Sequence, residues 1–305
     1  MRWGDFRRSE NVDDRTEGSS GGGFPAGGGI KLGGGALVVV VIASLLFGVN
    51  PLEMIGMIEG GGPATPSMPQ SQAPPGYGPQ HAPGQPGPPT ARKDASKDFA
   101  AAVLGDTEDV WRAVVQAMGA RYEPPRLVLF RRATQSACGS ASAATGPFYC
   151  STDRELYLDT AFFDELSRRF GAPGDFAQAY VIAHEVGHHV QNLTGTMQKF
   201  DRQMQRQDAR GRNALSVRLE LQADCYAGVW GYFAQRRNKL EPGDLDEGFR
   251  AAAAVGDDQI QKRTQGVVVP ESFTHGSAEQ RLRWFKTGLQ TGDMRKCDTF
   301  GAQGS

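Results

Sequence analysis

The residues best suited to do chemistry in this chain lie in the stretch AHEVGHHVQ, residues 183–191. It contains three of the five histidines, in a segment that is otherwise mostly apolar. His184 and His188 are four residues apart, so on a helix their imidazoles lie on one face, about one turn apart. Two imidazoles placed in this way can bind one metal cation, whereas histidines buried without a metal or a partner are costly. His189 lies about 100° around the helix from His188, and we interpret it as a packing residue or an outer partner of the site.

Glu185 follows His184 directly and therefore lies at the flank of the face that carries the two imidazoles. From there its carboxylate can reach a metal-bound water without binding the metal itself. The spacing His-Glu-x-x-His is the zinc motif of metallopeptidases, in which the glutamate is the general base. Gly187 has no side chain and would let another element approach the helix beneath the metal. The alternative is a structural helix whose histidines only satisfy hydrogen bonds in the core.

A catalytic zinc ion needs a third protein ligand, and the stretch LELQADCYAG contains two carboxylates that suit the role. Glu220 and Asp224 are four residues apart on a predicted helix. Glu220 can bind the metal while Asp224 accepts a hydrogen bond from the free ring nitrogen of one histidine. Two alternatives stay open: a buried salt bridge of these acids with Arg218 or a C-terminal arginine, and His275 as the third ligand.

His275 lies in the stretch FTHGSAEQR, just before a predicted helix. A loop at this position can bring the imidazole to the cleft, where it would donate a hydrogen bond to the oxyanion that develops on a substrate. A surface histidine that caps the following helix is the alternative.

The elements that must position these residues are a few strands followed by many helices. The motif helix is predicted at 175–194 and the helix of the two carboxylates at 213–235. The other predicted elements are helices 106–119 (with Asp106 as N-cap), 160–171, 244–263 and 277–292, and strands 126–131 and 154–159. This order predicts an α+β fold that is mostly helical with a small β-sheet. By analogy with zincins, we expect strand 154–159 to be an edge strand that pairs with an extended substrate.

Composition divides the rest of the chain. The segment 32–52 begins with an uncharged apolar run close to the length that crosses a bilayer, and we interpret it as a transmembrane anchor helix. The flanking regions are low in complexity. The predicted regions are a disordered cytoplasmic tail (1–31), the anchor (32–52), a Pro/Gly-rich disordered linker (53–97), the globular domain (98–300) and a short tail (301–305). A cleaved signal peptide and a buried core helix are the alternatives for the apolar run, and the long preceding segment argues against cleavage.

The charges around the apolar run predict its orientation. Five basic residues precede it, namely Arg2, Arg7, Arg8, Arg15 and Lys31, and the next basic residue is Arg92. The positive-inside rule therefore places the N-terminus in the cytoplasm and the globular domain on the periplasmic or extracytoplasmic side of the cell membrane. The net charge of −1 and the lack of interleaved basic and aromatic residues argue against nucleic acid as a partner.

Four cysteines, on the predicted outer side of a membrane, favour disulfide bonds. Cys138 and Cys150 bracket a short loop of small residues, so a bridge between them is plausible. A bridge between Cys225 and Cys297 would then attach the C-terminal segment to a helix. Three connectivities are possible, and free buried thiols are the alternative.

Together, the stretches AHEVGHHVQ, ELQADCYAG and FTHGSAEQRLRWF resemble the neutral zinc metallopeptidases of bacteria, a family of membrane-anchored zincins. The motif pair is also similar to the gluzincin pattern of CAAX-type and heat-shock membrane proteases. The resemblance covers nearly all of 98–300, and the opening MRWGDFRRSENVDDR looks familial as well. It implies a zincin-like domain with zinc bound by His184, His188 and Glu220, Glu185 as general base and Asp224 as an outer partner.

The leading hypothesis is a membrane-anchored zinc metallopeptidase that hydrolyses peptide bonds of a peptide or protein substrate. The alternative is a non-catalytic, membrane-tethered scaffolding protein with a structural Zn²⁺ ion. Structural zinc sites usually have four protein ligands, often cysteines, and such a site has no use for Glu185.

Overall fold

The computed structural model describes residues 1–16, 89–142 and 145–301, and for 89–94 it describes the backbone alone. The predicted anchor (32–52) and most of the predicted linker lie outside these residues. Within the described ranges, no helix combines the length and the apolar character that crossing a bilayer requires.

A four-stranded sheet lies at the N-terminal side of the domain. Its strands are β1 (Val12–Asp14), β2 (Arg126–Phe130), β5 (Phe148–Cys150) and β6 (Glu155–Asp159). They are arranged in the order β1-β2-β6-β5, with β5 antiparallel to β6 and the other pairs parallel. A separate antiparallel hairpin consists of β3 (Ala133–Ser136) and β4 (Gly139–Ser142). The parallel register places Leu127 between Val12 and Leu156.

The prediction that strand 154–159 is an edge strand is wrong. β6 lies between β2 and β5, and the edges of this sheet are β1 and β5. Burial gives the reason, since the consecutive residues Leu156, Tyr157 and Leu158 are each no more than 2% exposed. A strand that is covered on both faces belongs in the interior of a sheet.

Helices make up the rest of the domain. They are α1 (Pro89–Ala117), α2 (Phe162–Arg168), α3 (Asp175–Leu193), α4 (Thr196–Met204), α5 (Ala209–Arg236), α6 (Asp244–Ala254), α7 (Asp257–Thr264) and α8 (Ala278–Thr291). Short 3₁₀ helices occur at Trp3–Asp5, Pro270–Ser272 and Met294–Lys296. The described residues therefore form the mostly helical α+β fold with a small sheet that the sequence predicts.

Two predicted helices differ from the structure by more than a few residues at their ends. α1 begins at Pro89, inside the predicted linker, so Asp106 is no N-cap but an interior residue that accepts a hydrogen bond of 2.8 Å from the Trp230 indole. The segment 244–263 is not one helix, because the chain breaks between α6 and α7. At the break, a Cβ on Gly256 would overlap the backbone of Ala278, so this turn packs directly against the start of α8.

The N-terminal sixteen residues are folded, which corrects the prediction of a disordered tail for this part of 1–31. β1 pairs with β2, and the Arg8 guanidinium binds the Asp98 carboxylate at 2.6 Å. The α-amino group of Met1 lies 2.8 Å from the Asp175 carboxylate at the start of α3. Burial opposes the charged amine, but the hydrogen bonds of its acidic neighbours outweigh burial and raise its pKa to about 10. The charged side chains that suggest a solvated tail bind to the domain instead. Residues 17–31 lie outside the described part of the chain.

Close helix packing fixes α8 against α5. A Cβ on Gly228 would overlap the carbonyl oxygen of Phe285, and a Cβ on Gly288 would overlap that of Cys225. The two backbones are thus in contact, which only glycine permits.

Both expected disulfides are present. Cys138–Cys150 links the β3–β4 turn to β5, and Cys225–Cys297 links α5 to the C-terminal segment.

Candidate metal centre

The site is built where α3 crosses α5. A Cβ on Gly187 would lie 2.9 Å from the carbonyl oxygen of Ala223, so the two helices are as close as a glycine allows. The histidines 184 and 188 lie three residues before and one after Gly187. The carboxylates of 220 and 224 lie at the same offsets from Ala223. The crossing therefore places two imidazoles opposite two carboxylates, as the small residues at 187 and 223 suggest.

Three side chains converge at this crossing. The ligand atoms of His184, His188 and Glu220 all lie within 4.8 Å of one another, and all three residues are buried. Nε2 of His184 is 3.1 Å from one Glu220 oxygen, and Nε2 of His188 is 3.5 Å from the other. Ligand atoms at the corners of a tetrahedron around zinc lie roughly 3.4 Å apart. Two nitrogens and one carboxylate form a donor set that zinc accepts in catalytic sites, so these residues fit a zinc ion.

Asp224 holds the other ring nitrogen of His184. Its Oδ1 lies 2.9 Å from Nδ1, and the carboxylate also accepts a hydrogen bond from the Tyr180 hydroxyl. The guanidinium of Arg281 on α8 donates two hydrogen bonds to this carboxylate, at 2.8 and 2.9 Å. Asp224 is therefore both an outer partner of His184 and one half of a buried salt bridge. The alternative of a buried salt bridge with a C-terminal arginine is therefore present at Asp224. Its partner is Arg281 and not Arg218.

Sequence reasoning missed Arg281 and Tyr180 as parts of the site. Tyr180 is four residues before His184 on α3, so the same spacing that joins the histidines could have indicated it. Arg281 has no such local signal, because its place depends on how α8 packs against α5.

The charges of the site change the protonation of its members. Burial alone would lower the pKa of His184, but Asp224 and Glu220 outweigh burial and raise it to about 10. Burial would raise the pKa of Glu220, yet the neighbouring histidines hold it well below its usual range. Without a metal, the site is thus a charge-paired cluster, and a cation that binds there takes the place of a proton.

His188 is held by a neutral group. Its Nδ1 lies 2.9 Å from Oε1 of Gln191, one turn further along α3. The two ligand histidines are edge-on to each other, with ring planes at 88° and ring centres 4.8 Å apart.

Glu185 lies next to His184 and is half-buried. Burial raises the pKa of its carboxyl group, and the charges of both ligand histidines only partly oppose this. A carboxylate with a raised pKa is a stronger base than one in water.

His189 lies away from the other two histidines, as the helical geometry predicts. Nε2 is 2.7 Å from the Glu123 carbonyl, and Nδ1 is 3.0 Å from the Tyr149 hydroxyl on β5. A carbonyl only accepts, so Nε2 carries the hydrogen and Nδ1 accepts from the tyrosine. Burial lowers the pKa of His189 to about 4, so this residue is a neutral packing group that joins α3 to the sheet.

His275 is buried and is not part of the three-residue ligand group. Its Nδ1 lies 3.0 Å from Asp257, the first residue of α7. Three consecutive backbone amides of the loop, at 274–276, also donate to this carboxylate at 2.7 to 3.0 Å. The helix break at Gly256 therefore positions Asp257 to bind the whole loop. The N-cap of α8 is Ser277, so His275 is neither a surface residue nor the cap.

The loop of His275 packs on the helix that carries Glu220. A Cβ on Gly276 would lie 3.2 Å from Val217 and 3.3 Å from Leu221, which flank Glu220 on α5. Burial alone would lower the pKa of His275, but Asp257 and, to a lesser extent, Glu220 outweigh burial and raise it. His275 is thus close enough to Glu220 for their charges to interact.

As a class, a His-Glu-x-x-His helix crossed by a second helix with a glutamate and a supporting aspartate has the donor set and the motif spacing of a metallopeptidase zinc site. Comparison with known proteins gives the family. The sequence profile described as "Putative neutral zinc metallopeptidase" matches residues 1–300, and the chain belongs to this family.

Relatives occur in Escherichia coli and in mycobacteria. The chain is 43% identical to "Uncharacterized protein YpfJ" of Escherichia coli over 302 residues, which is 99% of each chain. It is 47% identical to "Uncharacterized protein Rv2575" of Mycobacterium tuberculosis over 204 residues, 63% of this chain and 67% of that protein. "Uncharacterized protein Mb2605" of Mycobacterium bovis shows the same identity and coverage. No solved structure matches the chain.

Proposed function

We propose that the protein is a zinc-dependent peptidase that hydrolyses peptide bonds, with Glu185 as the general base. One observation supports this most directly: His184, His188 and Glu220 converge within 4.8 Å, and Glu185, which follows His184 on α3, is close enough for its charge to interact with all three. Three protein ligands are the number found in catalytic zinc sites, whereas structural sites usually have four.

When bound, zinc polarises the scissile carbonyl and lowers the pKa of its water. The residues of the chain supply the remaining steps. Glu185 accepts the proton of the attacking water and then transfers it to the departing amine. Its raised pKa suits this second step, because a carboxyl group that binds its proton more firmly can keep it near neutral pH until the amine departs. Asp224 keeps the Nδ1 hydrogen of His184 in place, so that Nε2 faces the metal.

His275 is the proposed donor to the oxyanion. Its Nε2 is a buried atom without a hydrogen-bond partner among the described residues, while Nδ1 faces the Asp257 carboxylate. A buried, unpaired N–H group is costly, and a substrate oxygen that becomes negative during the reaction would satisfy it. The Asp257 charge favours the protonated imidazole that such a donor needs.

An extended peptide substrate is expected to pair with β5 and not with β6, which has no free edge. β5 is the edge strand that contacts α3, where the Tyr149 hydroxyl accepts a hydrogen bond of 2.8 Å from Asn192. Pairing with a sheet edge gives main-chain hydrogen bonds that do not depend on the substrate sequence.

The test is a peptide-library digest with the full-length, zinc-loaded protein beside its Glu185→Gln variant. We expect one zinc per chain in both proteins and loss of hydrolysis, by about 10²–10⁴-fold, in the variant only. Glu279→Gln, an exposed residue at the start of α8, is the matched control and keeps full activity. A zinc-loaded protein that cleaves no peptide would favour the scaffolding alternative, and turnover by Glu185→Gln would remove Glu185 from its role.

Membrane attachment through residues 32–52, with the N-terminus cytoplasmic and the domain outside, stays a prediction from the apolar run and its flanking charges. A single pass would put β1 and its partner β2 on opposite faces of the bilayer, so this orientation and the pairing of these strands exclude each other in one molecule.

Two insertions of a protease-cleavage sequence separate these outcomes, one at 20–23 and one within 60–80. External protease that cuts intact cells only at the second insertion supports the single pass. Cleavage at both insertions, or at neither, keeps the sheet and contradicts the predicted orientation.

A further inference from the structure

A chain of three hydrogen bonds runs from His188 to the C-terminal segment. Nδ1 of His188 is 2.9 Å from Oε1 of Gln191, and Nε2 of Gln191 donates to Oε1 of Gln222 at 3.2 Å. Nε2 of Gln222 then donates to the carbonyl oxygen of Cys297 at 2.9 Å. Both glutamines and the cysteine are buried. We refer to Gln191, Gln222 and the Cys297 carbonyl as the amide relay.

The direction of the amide relay is fixed by two backbone carbonyls, which can only accept hydrogen bonds. Gln191 donates at 2.7 Å to the carbonyl of Leu219, and Gln222 donates to that of Cys297. Each amide must therefore present its oxygen to the preceding group. As a result, Nδ1 of His188 carries the hydrogen, and Nε2 has the free lone pair that a metal needs.

The far end of the relay is held by a covalent bond. Cys297 forms the disulfide with Cys225 on α5, and two residues later the Thr299 hydroxyl donates to the Arg218 carbonyl on the same helix. The disulfide closes a loop of 72 residues, so its loss would free the C-terminal segment from α5.

We propose that the Cys225–Cys297 disulfide positions His188 for metal binding through Gln222 and Gln191, which makes zinc retention depend on that disulfide. The proposal rests on the metal site of the proposed function, but not on peptide hydrolysis. Without the disulfide, the Cys297 carbonyl leaves Gln222, the amide relay loses its fixed direction, and His188 is free to rotate or to change tautomer.

The disulfide could instead act only by bracing α5, because Cys225 follows Asp224 directly. A double-mutant cycle separates these routes. Gln222→Met keeps the disulfide and a similar side-chain volume but removes the relay. If loss of the disulfide and Gln222→Met both act through the amide relay, either change should weaken zinc binding little further once the other has been made.

The experiment measures the zinc dissociation constant of the full-length protein by competition with a chromophoric chelator. We expect Cys225→Ala/Cys297→Ala to weaken zinc binding by about 10–100-fold and Gln222→Met to weaken it by about 10-fold, the range found for outer partners of metal ligands. In the combined variant the effect should stay close to that of the double alanine variant. Cys138→Ala/Cys150→Ala, which removes the other disulfide, is the matched control and should bind zinc like the wild type. Circular dichroism checks that each variant is folded.

The possible results are distinct. Gln222→Met with wild-type affinity, or effects that simply multiply in the combined variant, would overturn the proposal. If the double alanine variant does not fold, Gln222→Met and Gln191→Met carry the test, since both leave the disulfide intact. A wild-type protein that binds no zinc would overturn the proposed function together with this proposal, whereas zinc binding that no variant changes would overturn this proposal alone.

Discussion

His184 and His188 present their Nε2 atoms to the same point, but the supports behind them differ in kind. Behind His184 lie charged groups, the Asp224 carboxylate and the Arg281 guanidinium. Behind His188 lies an uncharged amide, that of Gln191. One helix face thus combines an ionic support and a neutral one, and the two reach different parts of the fold. His184 depends on α8, whereas His188 depends on the C-terminal segment.

The difference has an energetic meaning. A hydrogen bond between neutral groups makes a net contribution to stability of about 0.5–1.5 kcal/mol, and one to a charged group contributes about 1.5–3 kcal/mol. Removing one partner of a buried ion pair costs more, because the other charge is left without compensation. The ionic support should therefore matter for folding as well as for the metal, and the neutral support mainly for the metal.

Arg281→Met gives the largest expected effect. It removes the guanidinium from the fully buried Asp224 and leaves His184 as the remaining positive partner, so we expect the free energy of unfolding to fall by about 3 kcal/mol, the lower end of the range for breaking a buried pair. Urea denaturation of the metal-free protein measures this. Arg283→Met, on an exposed position of the same helix, should change it by less than about 0.5 kcal/mol. Equal losses in both variants would mean that α8 tolerates neither change and that the ion pair has no special part.

Gly187→Ala tests the crossing of α3 and α5, on which both histidines depend. The new Cβ would lie 2.9 Å from the Ala223 carbonyl oxygen, so α3 and α5 must separate at the crossing. We expect a loss of about 1–3 kcal/mol in stability, together with weaker zinc binding, because Glu220 on α5 moves away from the two histidines on α3. Thermal unfolding with and without zinc measures both effects. In the control Gly211→Ala, the added methyl group meets only a flexible glutamine side chain, so a similar loss there would contradict the crossing argument.

His189→Gln gives the smallest expected effect. The neutral His189 links α3 to Glu123 and Tyr149 and does not face the metal. Glutamine has one donor and one acceptor for the same partners, so we expect about 1 kcal/mol less stability and an unchanged zinc dissociation constant. A clear loss of zinc affinity would show that the third histidine supports the site after all.

Much of the site could be predicted from sequence because it depends on helical spacing. The intervals 184–188 and 220–224, and the small residues between them, describe one face of each helix, and those helices form as expected. Arg281 and Gln222 could not be assigned in this way. Their partners are 57 and 75 residues away, and only the packing of α8 and the C-terminal segment against α5 brings them together.

The fold outside the site was harder to predict for a related reason. The strands β1 and β5 have three residues each, too short for a clear alternation of polar and apolar positions. The first sixteen residues carry many charges, so composition suggests a tail. Only their specific partners, such as Asp98 for Arg8 and Glu108 for Arg7, make them part of the domain.

The docking of the N-terminal residues also bears on how a newly made chain assembles. Met1 and its partner Asp175 are separated by 174 residues, which ribosomes translate in roughly 9 to 35 s. For about two thirds of that time β1 has no partner strand, because β2 begins only at Arg126, and closing so long a loop is entropically unfavourable and slow. The first part of the nascent chain to emerge is therefore expected to be among the last to find its place, and a chaperone has from about 9 to 35 s in which to bind it.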